Sequence, residues 1–121
     1  MELLDGKYLS NKIYQNIKNS LLNLSSTPKL GIIIVGNRPD SLVYVNMKRK
    51  KCLKIGIDVE VFYFEDPKKN EVLKKIKDLN KDKQFNGVMV QLPLPENLKQ
   101  DTQEILDTIN PSKDVDGLTT T

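Results

Sequence analysis

Leu30-Gly31-Ile32-Ile33-Ile34-Val35-Gly36-Asn37-Arg38-Pro39-Asp40-Ser41 is the stretch that decides the fold. Its first six residues form an unbroken apolar run rich in β-branched side chains, the pattern of a strand buried on both faces in a parallel sheet. Gly36-Asn37 ends the strand and Pro39 opens the connection. Asp40 or Ser41 is expected to cap the following helix through a side-chain oxygen. That helix carries Tyr44 and Lys48 one turn apart, so both lean toward the carboxyl end of the strand, where ligands bind in open α/β sheets.

Working outward, the apolar positions Leu9, Ile13, Ile17, Leu21 and Leu24 recur at three and four residues, which predicts an amphipathic helix over 8–24. Ser25-Ser26-Thr27-Pro28 stops it. On the other side, Ile55-Gly56 marks the end of the central helix, because glycine adopts the left-handed C-terminal position without strain. Ile57, Val59, Val61 and Tyr63 then alternate with Asp58, Glu60, Phe62 and Phe64, a second strand less uniformly buried at its start than the first. Asn70 is expected to cap a third helix with Val72, Leu73, Ile76 and Leu79 on its apolar face, its lysines lying on the solvated side. Asn86-Gly87 turns into a third strand, Val88-Met89-Val90-Gln91-Leu92, ended by Pro93 and Pro95. A last helix is expected over 100–109, stopped by Asn110-Pro111. The order helix, strand, helix, strand, helix, strand, helix implies right-handed crossovers and an α/β fold: a parallel sheet with helices on both faces.

A chain of 121 residues is one domain's worth. With 38% hydrophobic and 29% charged residues the composition is globular. The net charge of +3 is spread along the chain, and the densest basic run is only Lys48-Arg49-Lys50-Lys51, which argues against nucleic acid as a partner. There is no histidine, so Ser-His-Asp and Cys-His nucleophile systems and histidine metal sites are excluded within this chain. Cys52 is the single cysteine, hence no internal disulfide; its apolar mid-helix setting is that of a small core residue. No apolar run approaches the length of a membrane span, and the first residues lack the apolar core of a signal peptide. A soluble, cytoplasmic protein with no membrane partner is expected.

The polar residues at strand ends are the candidates for chemistry. Tyr44 and Lys48 follow directly on the first strand, Gln91 is the one polar residue of the third, and Asp114 leads to Asp116 in a turn beside Gly117. Each also has a plain structural reading: a surface pair on a helix, a hydrogen-bonded strand terminus, turn formers.

Three blocks, Gly36-Asn37-Arg38-Pro39-Asp40-Ser41 with Tyr44 and Lys48, Val90-Gln91-Leu92-Pro93-Leu94-Pro95, and Pro111-Ser112-Lys113-Asp114-Val115-Asp116-Gly117, resemble the signature blocks of the bifunctional methylenetetrahydrofolate dehydrogenase/cyclohydrolase family. Order and spacing match as well, from Asp5-Gly6-Lys7 onward. The resemblance implies an enzyme of one-carbon metabolism that oxidises 5,10-methylenetetrahydrofolate with NADP or NAD, without a metal, and hydrolyses the methenyl product to 10-formyltetrahydrofolate. It implies Lys48 as the general acid/base residue, Gln91 as its hydrogen-bond partner and Tyr44 as the ring that stacks on the folate. Asp116 would grip the pterin, Ser41 would stand beside the lysine at the helix start, and backbone groups around Val90 and Leu92 would meet the pterin edge. These roles fit the residue types. A desolvated lysine can exchange a proton near neutrality, and a carboxylate can accept two N–H bonds from a pterin.

The departure from the family lies in the cofactor. Gly31 and Gly36 do not fit the Gly-rich phosphate turn of a dinucleotide site, with its following helix and acidic ribose partner. The expectation is therefore an N-terminal catalytic, folate-binding domain over 1–121, with a C-terminal Rossmann domain absent from this chain. The parent is expected to form a homodimer. A different class of reading is a folate-binding or assembly module that keeps the pocket and has lost turnover.

Overall fold

The computed structural model describes residues 27–115; the expected helix over 8–24 lies outside them, as does Asp116. Strands β1 (Lys29–Val35), β2 (Asp58–Phe64) and β3 (Gly87–Val90) form a parallel sheet in the order β2-β1-β3. The apolar run of β1 is central and must satisfy two layers at once. Ile33 and Val35 join a cluster with Val72, Ile76, Leu79, Ile105 and Leu106, whereas Leu30, Ile32 and Ile34 join one with Val45, Cys52 and Met89. Helix α1 (Pro39–Lys54) therefore covers one face, and α2 (Lys69–Lys81) and α3 (Thr102–Asp107) cover the other.

This two-sided arrangement follows from the strand order. The first crossover steps from β1 to one neighbour and the second steps back across β1 to the other. Two right-handed crossovers running in opposite directions must put their helices on opposite faces.

Local details differ from expectation at the helix starts, where short-range hydrogen bonds decide the caps. The N-cap of α1 is Arg38, not Asp40 or Ser41; Asp40 Oδ1 instead accepts the Ser41 backbone N–H at 2.9 Å, inside the first turn. Asn70 does not cap α2: the cap is Lys68, whose N–H donates to Glu71 Oε1 at 2.9 Å. The glutamate three positions on supplies the acceptor, as in half of a capping box. The last helix begins as a 3-10 segment, Glu96–Asp101, because the Leu98 N–H bonds back to Pro95 O at 2.9 Å and the Thr102 hydroxyl donates to Lys99 O at 2.7 Å. β2 is an edge strand. Val59 packs with the α1 layer and Phe62 and Phe64 with the α2 layer, but Val61 and Tyr63 are 36% and 47% exposed. β3 stops at Val90, two residues short, since Pro93 has no N–H to extend a ladder.

Cys52 is buried in the α1 layer, and that burial pushes its thiol up to about 11, with the Lys48 ammonium one turn away pulling it partly back. A raised folded pKa favours the protonated thiol, so its contribution is whole below pH 9 and is lost as pH rises through 11. Wild type should lose on the order of 2 kcal/mol more stability than Cys52→Ala across this window. Denaturant titrations of both proteins at pH 8 and pH 11 measure the difference, and equal losses of stability in the two proteins would place the thiol in water.

Candidate active site

The turn after β1 sets the geometry. Gly36 has φ +86° and its N–H donates to Phe64 O at 2.8 Å, so the chain leaves the sheet sharply at the carboxyl end of β1. Only glycine takes that φ without strain. Pro39 then starts α1 with its φ already set for a helix.

At the same end of the neighbouring strand, the Gln91 N–H continues the ladder to Ile33 O at 2.8 Å, so Gln91 stands directly beyond the last pair of β1 and β3. Its side chain is buried and committed at both ends. Nε2 donates to Leu92 O at 2.9 Å, which turns Oε1 outward to accept from Lys48 Nζ at 2.8 Å. Two residues 43 positions apart are thus joined across the top of the sheet. Lys48 is half-buried, and Tyr44, one turn earlier on α1, is 44% exposed and presents ring surface to solvent.

Ser41 lies beneath the helix start, 3% exposed, and its Oγ has no hydrogen-bond partner among the described residues. Val90 turns its side chain into the α2 layer, which leaves only its backbone available at the sheet edge. Leu92 contributes the carbonyl that orients Gln91. Asp116 is outside the described residues; Asp114, two positions earlier, pairs with Val88 in a parallel bridge. A cleft of about 190 Å³ beyond the end of β1 is lined by Gly36, Arg38, Pro93, Pro95 and Lys99, and neither Lys48 nor Gln91 is part of its lining. Arg38 there is engaged by Asp40 through two contacts of 2.9 Å, which hold that carboxyl below its usual range.

The arrangement can hold and move one proton. An amide oxygen on the ammonium favours the charged lysine and partial burial opposes it, so the balance is set by what covers the pair. No group of three metal-ligating side chains occurs among the described residues. The anchoring role of the Leu92 carbonyl was not legible in sequence, because a backbone acceptor carries no residue signature.

Residues 4–116 match the model of the tetrahydrofolate dehydrogenase/cyclohydrolase catalytic domain. The chain belongs to this family. The last matched position of the tetrahydrofolate dehydrogenase/cyclohydrolase domain is Asp116, one residue before the end of the third sequence block. The bifunctional protein FolD of a Hydrogenobaculum species is 43% identical over 118 residues, which are 97% of this chain and 42% of that protein. The crystal structure of the FolD methylenetetrahydrofolate dehydrogenase/cyclohydrolase of Campylobacter jejuni has a TM-score of 0.77 at 40% identity, over 97% of this chain and 42% of that one. The Trypanosoma brucei enzyme, crystallised with NADP and an inhibitor, has a TM-score of 0.70 at 26% identity, over 90% and 37%. The chain thus spans about two fifths of the length of the curated relatives it matches.

Proposed function

We propose that this chain is the catalytic, folate-binding domain of a longer protein that interconverts 5,10-methylene-, 5,10-methenyl- and 10-formyltetrahydrofolate, as dehydrogenase and cyclohydrolase. The observation that carries the reading is the Lys48–Gln91 hydrogen bond of 2.8 Å at the carboxyl end of the sheet, within one helical turn of the exposed Tyr44 ring. A binding module has no need of a lysine held this way. A pterin stacked on Tyr44 would cover Lys48 and remove water from it, which lowers the cost of the neutral amine.

For hydrolysis, Lys48 as amine takes a proton from the water that attacks the methenyl carbon. The bond from that carbon to N5 then breaks, the electron pair stays on N5, and the Lys48 ammonium protonates it. The hydroxyl proton leaves to solvent and the formyl group remains on N10. Gln91 holds the amine in place, and Asp116 accepts N–H bonds from the pterin. Ser41 supports the start of α1 beside the lysine, and the Val90 and Leu92 backbone borders the ring.

The residues of this chain do not fit NADP or NAD: no Gly-rich turn joins a strand to a helix in the pattern a dinucleotide needs. The cofactor is assigned to a C-terminal Rossmann domain in the full-length protein, and a cytoplasmic homodimer belongs to the same reading. The test uses both forms. The full-length protein should hydrolyse methenyltetrahydrofolate and oxidise methylenetetrahydrofolate with NADP or NAD, whereas the 121-residue chain should bind neither nucleotide by calorimetry. Folate binding by the full-length protein without either turnover would favour the assembly-module reading instead.

A further inference from the structure

The strand that leads into Gln91 is short and pairs with β1 along one edge. β3 is four residues long, and its register with β1 runs from Gly87 to Val90. Along its second edge, among the described residues, Asp114 pairs with Val88 in an isolated parallel bridge, so the segment Lys113–Val115 lies where a fourth strand would. Local stability follows the number of such contacts, and so short a strand has few to spare.

That segment is anchored from two sides. Lys113 Nζ donates to Leu79 O and to Asp82 O, both at 2.9 Å, at the C-terminal end of α2, where the helix dipole also favours a cation. Val115 packs so closely on Gly87 that a Cβ on Gly87 would stand 2.6 Å from Val115 Cγ1 and 3.2 Å from Leu30 Cδ1. Glycine at this position admits the close approach. Val115 is itself buried, and it belongs to the same apolar cluster as Val45 and Cys52 of α1 and Met89 of β3. Val45 and Cys52 are the buried residues that bracket Lys48 on α1, and Met89 stands two positions before Gln91. The side chain of Val115 is thus part of the packing that joins the helix holding Lys48 to the strand leading into Gln91.

We propose that Lys113 and Val115 are positioning residues for the Lys48–Gln91 pair: Val115 fills the junction between β3 and α1, and the Lys113 tether keeps it there. The 2.8 Å bond from Lys48 Nζ to Gln91 Oε1 tolerates little relative movement of its two elements, because a hydrogen bond weakens steeply as its geometry departs from the optimum. On the β1 side the Gln91 N–H is already fixed by Ile33 O, so the freedom left to β3 lies on the side that Lys113–Val115 closes. The catalytic consequence rests on the folate reading above.

The test uses the full-length protein and two readouts: kcat and KM for methenyltetrahydrofolate hydrolysis, and the rate at which acetic anhydride acylates each lysine at fixed pH, resolved by mass spectrometry. Val115→Ala and Lys113→Met should each lower kcat by roughly tenfold with KM little changed. Both should also make Lys48 acylate several-fold faster, since an amine released from Gln91 Oε1 is freer to react, while Lys69 at the far end of α2 reacts as in wild type. Lys113→Arg should restore most of the loss, because a guanidinium can donate to the same two carbonyls. In a Gln91→Ala background neither substitution should further change kcat or Lys48 acylation. Gly87→Ala, which pushes Val115 outward, should match Val115→Ala and covers the case in which Lys113→Met folds poorly. A lowered Tm with unchanged kcat and unchanged Lys48 acylation would overturn the inference, as would losses that add to that of Gln91→Ala. A wild-type protein that fails to hydrolyse methenyltetrahydrofolate would remove the folate reading instead, and the acylation rates would still decide the positioning.

Discussion

Lys48→Met in the full-length protein should lower methenyltetrahydrofolate hydrolysis by about 10²–10⁴-fold, the range usual for loss of a general acid/base group. The chain has no histidine, and the described end of the sheet offers Lys48 as the titratable group held on a buried amide. The loss should appear in kcat, because the proton moves only as the water attacks and N5 departs, while binding through Tyr44 and Asp116 survives. Methionine keeps the length and apolar stem of lysine, so the fold should persist, and circular dichroism and Tm check this. Gln91→Ala should act through the lysine: it removes the acceptor for Nζ and the donor to Leu92 O together, so both activities fall without proton transfer being abolished. A well-folded Lys48→Met protein with near wild-type hydrolysis from pH 6 to 9 would refute the assignment.

The largest effect on stability should come from Ile33→Ala, at about 2–5 kcal/mol. Ile33 is fully buried in the central strand, packed into the layer of α2 and α3 and paired with Phe62 on one side and Val90 on the other. Truncation leaves a cavity that three elements would have to close together, and a sheet strand bonded on both edges cannot move toward it. Tm should fall by roughly 10 °C or more. The paired control is Val61→Ala on the edge strand, 36% exposed, where the loss should stay under about 1 kcal/mol. Equal losses at the two positions would contradict the central placement of β1. Because Ile33 O also accepts the Gln91 N–H, Ile33→Ala tests whether the site tolerates a loosened floor.

Both results bear on how the site is built. Its parts stand at the carboxyl ends of two adjacent parallel strands, reached by a helix that leaves one of them through a glycine turn. A one-residue displacement of Gln91 would turn its side chain to the opposite face of the sheet and away from α1. The Leu92 carbonyl holds the Gln91 amide where the lysine can meet it.

Periodicity and composition alone determined the α/β class, three strands, the central helix and the glycines that end β1 and α1. Those signals are local: a run of β-branched residues, a spacing of three and four, a residue without a Cβ. The absence of histidine likewise excluded Ser-His-Asp and Cys-His systems within this chain. The three motif blocks marked Tyr44, Lys48 and Gln91 as candidates, although none of them alone separates a site from a surface pair or a strand terminus. Lys48 and Gln91, expected as partners from the motif resemblance, stand 2.8 Å apart in the structure, but only the tertiary structure decided that β2 lies at the edge with Val61 and Tyr63 exposed, that the Leu92 carbonyl anchors Gln91 and that Lys113 is tethered to α2. These depend on the packing of layers or on backbone acceptors, and no side-chain pattern along the chain encodes which carbonyl will be left facing a lysine once the layers have packed.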